Sequence, residues 1–515
     1  MKTTSHKPQT GSGRQLTNPT SQRSSGKNYV AAILLAAFAF GATAHAAASA
    51  AAKPAIGAKP APAAKPTPKP KPIPKPKPTP APWVPPVLPG GKLVVTETSE
   101  DFLKRPDTIS PDVMVAKAVP TVDFAYFPGQ TYAAEIWSTW GDSVCANGKY
   151  YASLGDHMYP PKGNPQSPGQ FGSAYVYEYD PIKKTFRLLM NTSDVIKVPQ
   201  GDYVPGKIHS RLDMGSDGWL YCATHRGSSK ATIDPKTNYK GDWILRCDPV
   251  TGKSEVVVHG PVPGHCIPNS ALDAKRMIFY GSTATGAKAE TDKAEDAIKF
   301  FAYDLVNRKL LFSGNTGPAR GMILAKSTGK VYYTPNLKLS PIMCYDPAKP
   351  GEAPKEIPGE VGNRTTTRET PDGMVYTASQ GAPSSLYAFN TKTEKAEKIG
   401  ITSIGKGPDY VAAMEADPTG RYFYYTLGAH GGSSAIGSAL VQFDTKTKTK
   451  KVIAFLSPFI PKKYGVTPTG SFSLSIDEKG ETAFITWNST RDGVPKAWDT
   501  VTLAVVHIPA SERMP

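Results

Sequence analysis

From about Trp137 to the end, apolar and polar residues alternate in short runs broken by Gly, Asp and Asn, and no helix of useful length shows between the runs. The runs fall into a repeating unit with two signposts. The first is a turn followed by an aromatic strand: Asn147-Gly148 with Tyr150, Asp217-Gly218 with Tyr221, Asp273-Ala274 with Tyr280, Thr328-Gly329 with Tyr332, Asp372-Gly373 with Tyr376, Thr419-Gly420 with Tyr424 and Lys479-Gly480 with Phe484. The second is a strand ending in an acidic turn: Tyr179-Asp180, Cys247-Asp248, Tyr303-Asp304, Tyr345-Asp346, Phe389-Asn390 and Phe443-Asp444. Each unit reads as strand, Gly turn, strand, loop, strand, Asp turn, strand. Four short antiparallel strands at a period of roughly 40 to 70 residues predict a β-propeller blade, and seven units predict an all-β, seven-bladed propeller over 137–515. The last unit lacks a fourth strand. Either Leu93–Thr96 or Val122–Phe127, in the lead-in segment 92–136, is expected to supply it and remove an open sheet edge.

The signposts over 140–509 resemble the broad seven-bladed group that includes streptogramin (virginiamycin B) lyase-like and quinoprotein-like repeat proteins. That resemblance implies a fold shared by enzymes and binding proteins. No catalytic motif of one family matches well enough to carry site residues across.

The N-terminal part differs in kind. Val30–Phe40 is an apolar run, short against the roughly twenty residues of a membrane span, and Ala44-His45-Ala46 fits a signal-peptidase site. Residues 1–52 therefore read as an export signal, or as an uncleaved N-terminal anchor tethering the chain to a membrane. Residues 53–91 are dominated by Pro, Lys and Ala and read as a disordered, extended linker, resembling the periplasmic stalk of TonB-type proteins. A periplasmic, secreted or cell-envelope location follows.

Charge changes meaning once it is divided this way. The formal net charge is +17, but 13 of the 60 Lys and Arg lie before residue 93, where there is no Asp or Glu. The propeller is close to neutral, so its pI does not argue for nucleic acid. The five cysteines are scattered, without CxxC spacing, and read as buried thiols on strands, with a Cys222–Cys247 bridge within one sheet as the alternative. HExxH, Walker, EF-hand and GxSxG patterns are absent.

Candidate chemistry comes from aligning the units. Nine residues before the second residue of each turn (Gly, or Ala274 in blade three) the chain reads Thr139, His209, His265, Arg320, Arg364, Val411 and Ser471, so blades two to five place His, His, Arg and Arg at one level of the ring. Arg211 and Arg368 follow on the same strand faces. The ends of second strands add Asp156, His157, His225, Arg226, Gln380 and His430, with Tyr159 just beyond. Such a basic arc suits an anion: carboxylate, sulfate or phosphate.

Two classes of function follow. One is a lyase- or hydrolase-like enzyme acting on a uronate-containing saccharide or a lactone-like small molecule. Its catalytic set would be His209, His225, Arg211 and Tyr159; His157, Arg226, His265, Arg320, Arg364, Arg368, Gln380 and His430 would bind the ligand. Clustered histidines could instead hold a divalent metal. The other class is a non-catalytic binding platform for a glycan or protein partner, held in the envelope by its stalk.

Overall fold

The computed structural model describes residues 83–158, 172–285, 297–457, 459–494 and 497–513. The export segment, most of the linker and Tyr159 lie outside these residues. Among the described residues no helix is long and apolar enough to cross a membrane.

Seven antiparallel sheets follow one another along the chain in the order the repeat predicts. Blade one runs from Val144–Ala146 through Lys149–Gly155 and Ala174–Asp180 to Thr185–Asn191. Blade two begins with a divided inner strand, Lys207–Ile208 and Asp213–Met214, then Leu220–His225, Trp243–Cys247 and Ser254–His259. Blades three to six open at His265–Asp273, Ile323–Leu324, Thr365–Thr366 and Met414–Ala416. Blade seven is built on Val466–Ile476, Thr482–Arg491 and Thr500–His507.

The signposts have physical causes. At the acidic turn one carboxylate or amide oxygen accepts from the two backbone N–H groups that follow: Asp180 from Ile182 and Lys183, Asp304 from Val306 and Asn307, Asn390 from Lys392 and Thr393, Asp444 from Lys446 and Thr447, each at 2.9 to 3.1 Å. Asp and Asn suit this place because their short side chains reach their own turn. The aromatic after the Gly turn is packed between blades. Tyr150, Tyr280, Tyr332 and Tyr424 have no exposed surface. Each such side chain contributes about 2–3 kcal/mol of burial.

Ring closure uses both candidate segments, in sequence. Thr121–Tyr126 pairs with Thr500–His507 as the fourth strand of blade seven, and Val94–Thr98 adds a fifth outside it. Asp123 on the closing strand accepts from His507 at 3.0 Å and from Lys184 of blade one at 2.7 Å. Burial pushes its carboxyl up, but these bonds and one from Thr96 outweigh that and hold it at about 2. The lead-in also lays Met114–Val115 parallel to the outer strand of blade six. All five cysteines are free. Cys222 and Cys247 are on neighbouring strands, but Cys222 lies opposite Leu245 and Cys247 opposite Leu220, so no bridge forms.

Candidate functional site

The inner strands place functional side chains by leaving the ladder. In blade two the residues between the two inner-strand segments bulge toward the channel. Ser210 takes over the missing ladder bonds: its hydroxyl accepts from Ala223 N at 2.6 Å and donates to Ala223 O at 3.2 Å. Ser471 in blade seven and Thr367 in blade five act likewise, through Thr486 O at 2.8 Å and Tyr376 N at 3.0 Å. A Ser or Thr in the inner strand thus lets its neighbours project inward, as bulges next to sites commonly do.

What projects is a basic mouth. His209, Arg320 and Arg364, from blades two, four and five, line one partly open cavity of about 30 Å³ with Trp140, Asn269 and Phe472. That volume suits a water or a carboxylate-sized group, not a sugar ring. Arg364 is only 6% exposed; its Nε donates to the Tyr410 hydroxyl, and its guanidinium lies over the rings of Tyr410 and Phe472. Arg320 donates to Ala319 O at 2.7 Å. Burial first, then the Arg364 charge, brings the Arg320 guanidinium down to about 10, so it stays charged near neutrality. Neither arginine has a carboxylate within ion-pair distance among the described residues.

The imidazoles beside them are neutral. His209 is held well below its usual range by burial and then by Lys207, Arg320 and Arg364. Its Nδ1 is buried without a hydrogen-bond partner. His225, whose ring centre is 5.0 Å from that of His209, is lowered by burial and then by Lys207 and Arg226. Its Nδ1 donates to Arg226 O at 3.0 Å, leaving Nε2 as the acceptor nitrogen. His430 lies at the open rim, with its ring centre 4.6 Å from that of Tyr410; partial desolvation, then Arg364 and Arg320, lower it too.

Other residues singled out by spacing have different surroundings. His157 is tied at both nitrogens, to Ser138 Oγ at 2.9 Å and Gly227 O at 3.0 Å, and latches blade one to blade two. Close backbone packing supports that latch: a Cβ on Gly206 would stand 3.1 Å from the His157 Cα. His265 turns to Thr283 Oγ1 at 3.0 Å, because a register shift between Cys266 and Asn269 sends Pro268 and Asn269, not His265, to the cavity. Arg226 donates to Thr285 O at 2.6 Å and Cys266 Sγ at 3.0 Å. Gln380 is exposed, with its backbone N–H on Asn363 Oδ1.

Arg211 and Asp142 line the same cavity as Arg320 and Arg364, but Arg211, like Arg368 further along its inner strand, is engaged by acids. Arg211 donates to Thr366 O at 2.6 Å and pairs with Asp142 at 3.4 Å. Arg368 pairs with Glu415 and, at 2.9 Å, with Asp213, and also donates to Ser143 O and Leu212 O, joining four blades. Burial raises Asp142 to about 6 against the pull of both arginines. Among the described residues no three His, Cys, Asp or Glu side chains form a metal-binding group.

Sequence spacing missed Trp140, Phe472, Tyr410 and Lys207. Trp140 is the hub of the mouth: its ring centre is 4.6 Å from Phe472, 5.4 Å from Trp498 and 5.7 Å from His209, and Lys207 Nζ stands 4.4 Å over it. Signals existed. Lys207 is two residues before His209, and Trp140 and Phe472 directly follow the aligned Thr139 and Ser471.

No family model matches this chain, and no curated protein matches it. Solved structures do resemble it. An oligogalacturonate lyase in complex with manganese aligns over 82% of this chain and 98% of its own, at 10% identity and a TM-score of 0.46. An oligogalacturonate lyase from Vibrio parahaemolyticus aligns over 82% and 99%, at 11% identity and a TM-score of 0.47. A 6-phosphogluconolactonase-like protein from Bacteroides uniformis aligns over 67% and 92%, at 12% identity and a TM-score of 0.43. At these scores the fold of this chain rests on its own strand pairing: it is a seven-bladed β-propeller closed by its N-terminal lead-in.

Proposed function

We propose that the mouth binds a carboxylate-bearing ligand and abstracts a proton from the carbon next to that carboxylate, the chemistry of a lyase acting on uronate saccharides. One observation carries this reading. Arg320 and Arg364 lie beside each other at a carboxylate-sized cavity, and among the described residues neither has an acid within ion-pair distance; Asp142, which also lines the cavity, pairs with Arg211 instead. Two guanidiniums on one carboxylate would hold it and stabilise the negative charge that develops when the neighbouring C–H bond breaks. Blade two supplies nitrogen bases beside them that are uncharged at neutral pH, as proton abstraction requires. The rest of the ligand would lie above the cavity, against His430, Tyr410 and Trp498. Segments 1–52 and 53–91 are proposed to export the propeller and space it from the envelope.

The test is turnover of a panel of oligouronates by the full chain, followed by the ultraviolet absorbance of the conjugated product. A parallel lactone panel is followed by acid release. Uronate turnover lost in Arg364→Gln supports the lyase reading. Saturable uronate binding without turnover makes the protein a glycan-binding platform. Lactone opening without uronate binding overturns the substrate class.

A further inference from the structure

Four cations in and around the mouth lack an ion-pair partner among the described residues: Lys207, Arg226, Arg320 and Arg364. No ion pair offsets their mutual repulsion, and the buried Asp242 lends opposite charge without contact. A guanidinium keeps its proton under such pressure, whereas an amine releases it. The discharge therefore falls on Lys207. Its Nζ has no hydrogen-bond partner among the described residues and is seated over the Trp140 ring, two residues before His209 in the chain. We propose that Lys207 is the base that removes the proton in this reaction, with His209 and His225 as neutral groups beside it. This rests on the reading of the mouth as a uronate lyase site.

The groups around Lys207 agree in sign. Burial acts first; Arg226 and Arg320 then push its amine down, Cys266 and Asp242 pull it up, and the balance is about 7. Asp242 gives limited help: it is buried, raised to about 6 itself, and holds hydrogen bonds from Thr224, Tyr203 and Tyr239. The imidazoles of His209 and His225 stay neutral beside it. The Trp140 face favours the charged ammonium, and so supports the conjugate acid once the proton has arrived.

The step balances. The C–H bond next to the carboxylate breaks and its proton bonds to the Lys207 nitrogen. The electron pair passes to the carboxylate held by Arg320 and Arg364, then forms the carbon–carbon double bond as the β C–O bond breaks. The leaving sugar oxygen takes a proton from water, and Lys207 returns its own to solvent.

The experiment is brief labelling of the full chain with acetic anhydride from pH 5 to 10, with each lysine read by peptide mass spectrometry. Lys207 should label at neutral pH on the order of a hundredfold faster than an exposed lysine, since an ordinary amine is deprotonated only near pH 10. Digalacturonate should protect it, and Arg320→Gln should move its profile to higher pH. Lys207→Arg should bind digalacturonate with turnover lost at least a thousandfold, whereas a merely structural cation would be rescued by arginine. An ordinary lysine profile in protein that binds uronate overturns the Lys207 assignment alone. Neutral-pH labelling in protein that binds no uronate overturns the lyase reading and leaves Lys207 a reactive amine of a different reaction.

Discussion

The channel carries two pairs of arginines, and they have opposite fates. Arg211 and Arg368 are engaged by Asp142, Asp213 and Glu415 and by carbonyls of several blades. Arg320 and Arg364 project from equivalent inner strands, yet meet aromatic rings, backbone carbonyls and each other. The first pair fastens the ring; the second has charge left over. A buried arginine is informative about function when its counter-charge is missing, because an uncompensated buried charge is costly and a ligand can supply the complement.

That contrast breaks most visibly at Arg368. Arg368→Met leaves Asp213 and Glu415 facing each other without a cation and should cost about 3–5 kcal/mol of stability, read as a lower urea midpoint at unchanged slope. Arg364→Gln should do the reverse. It relieves repulsion, so the urea midpoint should hold or rise, while affinity for a uronate measured by calorimetry should fall about 50-fold, the worth of a charged hydrogen-bonded contact. If Arg364→Gln unfolds the protein and Arg368→Met does not, the two pairs have been assigned the wrong way round.

Ring closure gives a smaller effect. Asp123 is held at about 2 against an unfolded value near 3.8, so its contribution is present above pH 4 and is lost as pH falls toward 2. The loss is roughly 2 kcal/mol, and Asp123→Asn should flatten that part of an acid-unfolding profile. Smallest is the latch at His157. His157→Ala removes bonds to Ser138 and Gly227 and should cost about 1 kcal/mol, with little change in uronate affinity.

The fold was legible because each signpost has one local cause, an Asx-bonded turn or an interblade tyrosine, repeated around the ring. Closure was half legible: either lead-in segment fitted, and the structure uses both because blade seven has room for a fifth strand. The site was legible where strand register is regular. The nine-residue spacing found His209, Arg320 and Arg364, which share the cavity. It placed His265 beside them too, but the register shift after Cys266 turns that ring to Thr283. Sequence could not separate Arg368 from Arg364, because pairing with Glu415 and Asp213 joins residues far apart in the chain. Lys207 and Trp140 stand next to aligned positions, but the loss of counter-charge around them arises from residues far apart in the chain.

The most direct test of the central claim is a calorimetric titration of the full chain with digalacturonate at low salt, beside Arg320→Gln/Arg364→Gln and with the neutral disaccharide as control. The account predicts one saturable site in the wild type, none in the double variant, and no binding of the neutral sugar. Equal affinity of wild type and double variant, or equal binding of the neutral sugar, would contradict it.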